Sequence, residues 1–81
     1  MQEYNRIKGK GEVDFIVKNK DTSLTAINVT FSDKIDEREI KSLLEFQEKF
    51  DKCKETIIIT KDTEKKEKGI KFIPIWKWLL N

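Results

Sequence analysis

"GEVDFIVKNKDTSLTAINVTFS", residues 11 to 32, decides how the chain is organised. From Glu12 to Lys18, Val13, Phe15 and Val17 alternate with Glu12, Asp14 and Lys18, Ile16 being the apolar exception, and period two is the signature of a strand. The polar run "NKDTS" at residues 19 to 23 reads as a turn. In "LTAINVTF" that follows, Thr25, Ile27, Val29 and Phe31 share one face and Leu24, Ala26, Asn28 and Thr30 the other, which predicts a second, β-branched strand. A turn centred on Asp21 makes paired positions sum to 42, setting Asp14 opposite Asn28, Ile16 opposite Ala26 and Glu12 opposite Thr30. The same register stacks Val13, Phe15 and Val17 with Ile27, Val29 and Phe31 on one shared, dry face, and a slip of one residue would lose that alignment.

Working outward, "DEREIKSLLEFQEKF" from Asp36 to Phe50 has helical periodicity, with Phe46, Phe50, Leu43, Gln47, Ile40 and Leu44 inside an arc of about 160°. Asp36 suits the N-cap, with Glu39 three residues on as an acidic variant of the capping box, and Glu37 and Glu39 complement the helix dipole. Gln47, inside the apolar arc, is expected to bond a neighbouring backbone group. "ETIIIT", residues 55 to 60, is the continuous apolar run of a strand covered on both faces. "KDTEKKEKG", residues 61 to 69, reads as a charged connector, "IKFI" at 70 to 73 as a strand, and Pro74 as the first turn of a short helix over "IWKWLLN". That helix should seal the core with Leu79, Leu80 and one of Trp76 and Trp78, the other Trp being left to meet a partner. The expected fold is therefore α+β, an α/β sandwich of order β-β-α-β-β-α, in a single domain over residues 1 to 81.

Composition narrows the function. At 81 residues the core is small, and 40% of the chain is charged, with many Lys, Glu and Ile, the usage of a thermophile's protein. Seventeen basic and fifteen acidic residues leave a net charge of +2, divided as +2 over residues 1 to 20, −3 over 21 to 60 and +3 over 61 to 81. Such a balance reads as a solvated surface before a phosphate-tracking one. Cys53 stands alone and His is absent, so neither an internal disulfide nor a structural zinc site is expected. No stretch has the length of a membrane span, "MQEYNRIKGK" lacks a signal peptide's apolar core, and a cytoplasmic protein follows. "KGKGE" at residues 8 to 12 lacks the spacing and following helix of a phosphate-binding loop, so the chain carries no nucleotide site of its own.

Two pieces together, "GEVDFIV" and "GIKFIPIWKWLL", resemble the C-terminal domain of archaeal and bacterial AAA-type or STAND-type ATPases, which has the restriction-endonuclease-like, PD-(D/E)xK fold. The resemblance covers about residues 6 to 81. It implies a truncated restriction-endonuclease-like core with an antiparallel N-terminal hairpin. In active members of that superfamily an Asp on one strand and Glu-x-Lys on the next hold a divalent cation and orient a water for phosphodiester hydrolysis, with a further Glu on an upstream helix. Asp14 matches the Asp, whereas the Glu-x-Lys position falls on Asn28, Val29 and Thr30, so an amide and a hydroxyl replace a carboxylate and an ammonium. The helix for the remaining Glu would precede residue 1, as in a fragment of a longer ATPase or a reduced fold.

The resemblance thus implies a catalytically inactive module, not an enzyme, with Asp14, Asn28, Thr30 and Glu12 as relic metal-site positions, no metal and no cofactor. Its expected work is protein binding or regulation, by a protein partner or by self-association, Trp76 and Trp78 being candidate contacts. Two alternatives remain at this stage. One is a divalent-metal-dependent nuclease completed by another subunit or an upstream segment. The other is a nucleic-acid binder with Lys8, Lys10, Lys18 and Lys20 on phosphates.

Overall fold

The hairpin forms in the register its sequence requires. In the computed structural model, which describes residues 3–5 and 13–80, β2 (Phe15–Lys18) and β3 (Leu24–Val29) are antiparallel, with Phe15 opposite Ile27, Ile16 opposite Ala26 and Val17 opposite Thr25. The turn between them is closed at Asn19 and Ser23: Asn19 N–H donates to Ser23 O at 2.8 Å and Thr22 N–H to Asn19 O at 2.9 Å. Asp21 Oδ1 caps its interior, accepting from Ser23 N–H at 2.9 Å and from the Ser23 hydroxyl at 2.6 Å. Those bonds hold the Asp21 carboxyl below its ordinary value, the Ser23 hydroxyl foremost.

β1 (Glu3–Asn5) adds to the outer edge of β2, and α1 (Glu37–Lys49) carries the chain from β3 to β4 (Cys53–Thr60), parallel to β3. β5 (Lys65–Glu67), β6 (Ile70–Pro74) and α2 (Ile75–Trp78) follow, β6 lying parallel to β4. Among the described residues, the result is an α+β domain on one mixed sheet of six strands in the order β1-β2-β3-β4-β6-β5. The expected element order β-β-α-β-β-α thus lacks two strands. β5 lies in the stretch read as a charged connector: all three of its residues are exposed, so no apolar alternation marks it. What makes the strand is the two-residue turn to β6, where Lys68 and Gly69 both take positive φ, 54° and 81°, as a type I′ hairpin requires. Charged side chains along this outer edge discourage pairing with a further strand.

α1 is capped as its sequence implies. Asp36 Oδ1 accepts from Arg38 N–H at 2.9 Å, a bond that also lowers the Asp36 pKa, and Ile40, Leu43 and Phe46 are buried. They pack with Val13, Ile16, Ala26, Ile58 and Phe72 on one face of the sheet. Gln47 Nε2–H donates to the backbone of Cys53 at 3.4 Å, which explains an amide within an apolar arc. The opposite face holds a smaller cluster of Val17, Ile27, Ile57 and Ile59, with Val29, Ile73, Ile75 and Trp78 against it.

Three expectations about packing are corrected. Val13 does not share a face with Phe15 and Val17: β2 begins only at Phe15, and Val13 is buried under α1. The face expected to be dry is the less covered one, with Phe15 38% and Phe31 68% exposed. Leu79 and Leu80 do not seal the core, being 74% and 81% exposed, because α2 ends at Trp78 and it is Ile75 and Trp78 that pack against the sheet. Among the described residues, no helix is long and apolar enough to cross a membrane.

Candidate functional site

β3 runs parallel to β4 and β6, and the carboxyl ends of such strands are where sheets of this kind place their ligands. Asn28 is the penultimate residue of β3, on the face that α1 covers, and is wholly buried. Asp14 precedes β2 and lies beside the same strand end. Here the backbone ladder stops and side chains replace its next rung. Asp14 N–H donates to Asn28 Oδ1 at 2.9 Å, and Val29 N–H donates to Asp14 Oδ2 at 3.0 Å. Each residue thereby satisfies the other strand's backbone, a clamp that closes the hairpin at the end away from its turn.

A third residue joins them that sequence reading had assigned elsewhere. Glu39, in the first turn of α1, reaches the sheet, where its Oε2 accepts from Asn28 Nδ2–H at 2.7 Å. Its place three residues after Asp36 suggested a helix cap, and that signal concealed the contact. The spacing that could have shown it is geometric, since the first turn of a helix following β3 must pass over the end of β3. The Asn28 amide has no choice of orientation: its oxygen faces a backbone N–H and its nitrogen faces a carboxylate.

The donor set does not fit a divalent cation. Mg²⁺ takes oxygen ligands at about 2.1 Å and needs concentrated negative charge. Between residue 28 and Glu39 such an ion would meet an N–H, and Asp14 Oδ2 is already engaged by Val29. Among the described residues no group of three His, Cys, Asp or Glu side chains could hold a metal ion.

The remaining candidate residues do not converge on this point. Thr30 follows β3, half-buried, its backbone N–H donating to Ile59 O at 2.9 Å. Glu12, Lys8 and Lys10 lie outside the described residues. Lys18 and Lys20 are exposed at the turn end of the hairpin, and Lys18 is four residues from Asp14, roughly 13 Å along a strand. On the far side, Lys65, Lys71 and Lys77 are each paired with a carboxylate, of Glu67, Glu55 and Glu64 respectively. Trp76 is exposed and its Nε1–H donates to Asp62 Oδ1 at 3.1 Å, while Trp78 lines an apolar groove with Phe15, Val29 and Leu79.

Residues 3–78 match the model of a family described as a domain of unknown function (DUF4143). No curated protein and no solved structure matches the chain.

Proposed function

The chain belongs to the DUF4143 family, and we propose that it is a catalytically inactive nuclease-fold module, similar to the C-terminal domain of an archaeal ATPase, that works by binding protein. One observation carries this reading: the buried Asn28 side chain accepts from Asp14 and donates to Glu39 at the position where a nuclease of the PD-(D/E)xK type would place a metal-binding carboxylate. An ionised carboxylate there would accept only, and would face Glu39 with like charge unless a cation lay between them. The amide replaces carboxylate and cation together. Supporting it are the hairpin that sets Asp14 beside Asn28 and the helix that leads from β3 to a parallel β4.

Loss of charge matters because phosphodiester hydrolysis rests on electrostatic stabilisation. Removing one positioned group typically costs about 100- to 1,000-fold in rate, and here both the carboxylate at 28 and the ammonium at 30 are replaced. Protein binding is favoured over nucleic-acid binding by the exposed apolar residues on the second sheet face. The test is incubation of the purified chain with single-stranded, duplex and branched DNA and with RNA, in Mg²⁺ or Mn²⁺. No cleavage is the expected result. Cleavage that Asp14→Ala abolishes would establish the alternative, a metal-dependent nuclease, and defeat the proposal.

A further inference from the structure

The two faces of the sheet are covered unequally. On one lies α1, a helix of thirteen residues that buries Ile40, Leu43 and Phe46. On the other lies α2, four residues long with none of them buried. Beside α2 is an open groove of about 260 Å³, walled by Phe15, Val29, Ile59 and Trp78 and rimmed by Phe31 and Leu79. The rim residues project into solvent, 68% and 74% exposed. Phe31 does so from a backbone at φ 52°, a region that Asn or Gly adopts readily and Phe does not. A large apolar side chain held outward in an unfavourable conformation indicates a contact that offsets the strain.

We propose that this face is the contact between two copies of the chain, related by a two-fold axis, with Phe31 and Leu79 of each copy seated in the groove of the other. A two-fold contact uses the same patch on both subunits, so the patch must be complementary to itself. This one carries both the hollow and the projections that fill it. The area suits a reversible pair. Taking a full large apolar side chain as roughly 200 Å², the exposed parts of Phe15, Phe31 and Leu79 contribute about 350 Å² per copy. The half-buried groove wall brings this to about 450 Å² per copy, so a pair buries roughly 900 Å², the size of a weak, reversible contact. A net charge of +2 gives little repulsion between copies. The inference goes beyond the proposed function and does not depend on how Asp14, Asn28 and Glu39 are read.

Sedimentation equilibrium of the purified chain from about 5 µM to about 500 µM is the test, a range that brackets micromolar association. The expected mass rises to twice that of the monomer. Phe31→Asn combined with Leu79→Asp should weaken association at least about tenfold with the circular dichroism spectrum unchanged, while Lys41→Asp on α1 should leave it as it was. Should Leu79→Asp disturb the fold, Phe31→Asn alone serves, since Asn suits the backbone at that position. A wild-type chain that stays monomeric throughout overturns the proposal, as does a folded variant that pairs as tightly as the wild type. Binding of an added amphipathic helix to a strictly monomeric chain would assign the groove to a different occupant.

Discussion

Asn28→Asp is the perturbation that separates a hydrogen-bonded clamp from an incidental polar residue, because it changes one nitrogen to oxygen and little else. The bond from Asp14 N–H survives, since the new carboxylate still accepts. The bond to Glu39 does not: two carboxylate oxygens now meet where Nδ2 and Oε2 stood 2.7 Å apart. Loss of a hydrogen bond to a charged group costs about 1.5–3 kcal/mol. The pair can restore the contact only by taking up a proton, so its first protonation in the folded state shifts above the ordinary carboxylate value of about 4. A pKa raised by folding stabilises the protonated side. The variant's deficit is therefore smallest below about pH 4, grows by up to about 1.4 kcal/mol per pH unit as the unfolded carboxylates ionise, and levels off above the folded pKa.

At pH 7 the expected loss is about 3–4 kcal/mol, against a total of roughly 4–12 kcal/mol for a domain of this length. Urea unfolding followed by Trp fluorescence at pH 4 and pH 7 measures it. A divalent cation can take the place of the shared proton, so Mn²⁺ should stabilise the variant at pH 7 by about 1.4 kcal/mol at tenfold excess over its Kd and leave the wild type unchanged. A deficit equal at both pH values would refute the placement of Glu39 against residue 28. Equal Mn²⁺ stabilisation of both proteins would refute the idea that the amide replaces a cation.

The carboxylate of Asp33 ties the β3–α1 loop to the β4–β5 loop, accepting from Asp62 N–H, Thr63 N–H and the Thr63 hydroxyl at 2.7–2.8 Å, and the Thr63 hydroxyl foremost holds its pKa below the ordinary value. A depressed pKa stabilises the ionised side, so the Tm advantage of the wild type over Asp33→Asn should be full above about pH 4 and shrink as pH falls through the folded pKa; an advantage that grows on acidification would contradict this. Burial pushes the Cys53 thiol up from its usual pKa, and with 4% of the residue exposed its alkylation at pH 8 should be slow until denaturant is added. Labelling in buffer at the rate of a free thiol would show that β4 opens there. Lys68→Asn, at the first position of the type I′ turn, should add about 0.5–1 kcal/mol because Asn tolerates positive φ; a loss of stability in urea unfolding would show that the Lys68 side chain makes a contact worth more than the strain.

What could be read from the sequence divides along physical lines. The β2–β3 register was legible because alternation fixes the faces and the polar turn fixes the centre, which together leave one pairing. α1 and β4 were legible for the same reason: Ile40, Leu43 and Phe46 recur at helical spacing, and Ile57, Ile58 and Ile59 form a run that only a strand covered on both faces buries. β5 was not legible, because a strand at a sheet edge is held by backbone bonds and turn geometry, neither of which leaves an apolar pattern. The assignment of the dry face failed at Val13, whose apolar character fitted the alternation although it lies before β2 and packs under α1. Of the candidate site, that Asp14 faces Asn28 followed from register. Glu39 did not, because its position satisfied a local rule for helix starts while its use is non-local.

Asn28 has two neighbours to answer at once. A wholly buried side chain at the end of β3 must answer a donor on one side, Asp14 N–H, and an acceptor on the other, Glu39. Among side chains of this size only an amide does both without a proton or an ion; a leucine would leave both partners unsatisfied, at about 1–3 kcal/mol each. The residue is therefore the neutral solution to a geometry in which two carboxylates approach one strand end. That geometry is also why a single substitution at 28 should make stability respond both to protons and to Mn²⁺. Glu39→Gln supplies the complementary test. The amide carbonyl still accepts from Asn28 Nδ2–H, so the loss in the wild-type background should be small, about 1 kcal/mol or less, being the difference between a charged and a neutral acceptor. In the Asn28→Asp background the same change removes the like charge, and the pH dependence of the deficit should largely disappear. The coupling energy of this double-mutant cycle, measured at pH 7, is expected to exceed about 1 kcal/mol, and additivity within about 0.5 kcal/mol would sink the assignment of residues 28 and 39 as a directly interacting pair.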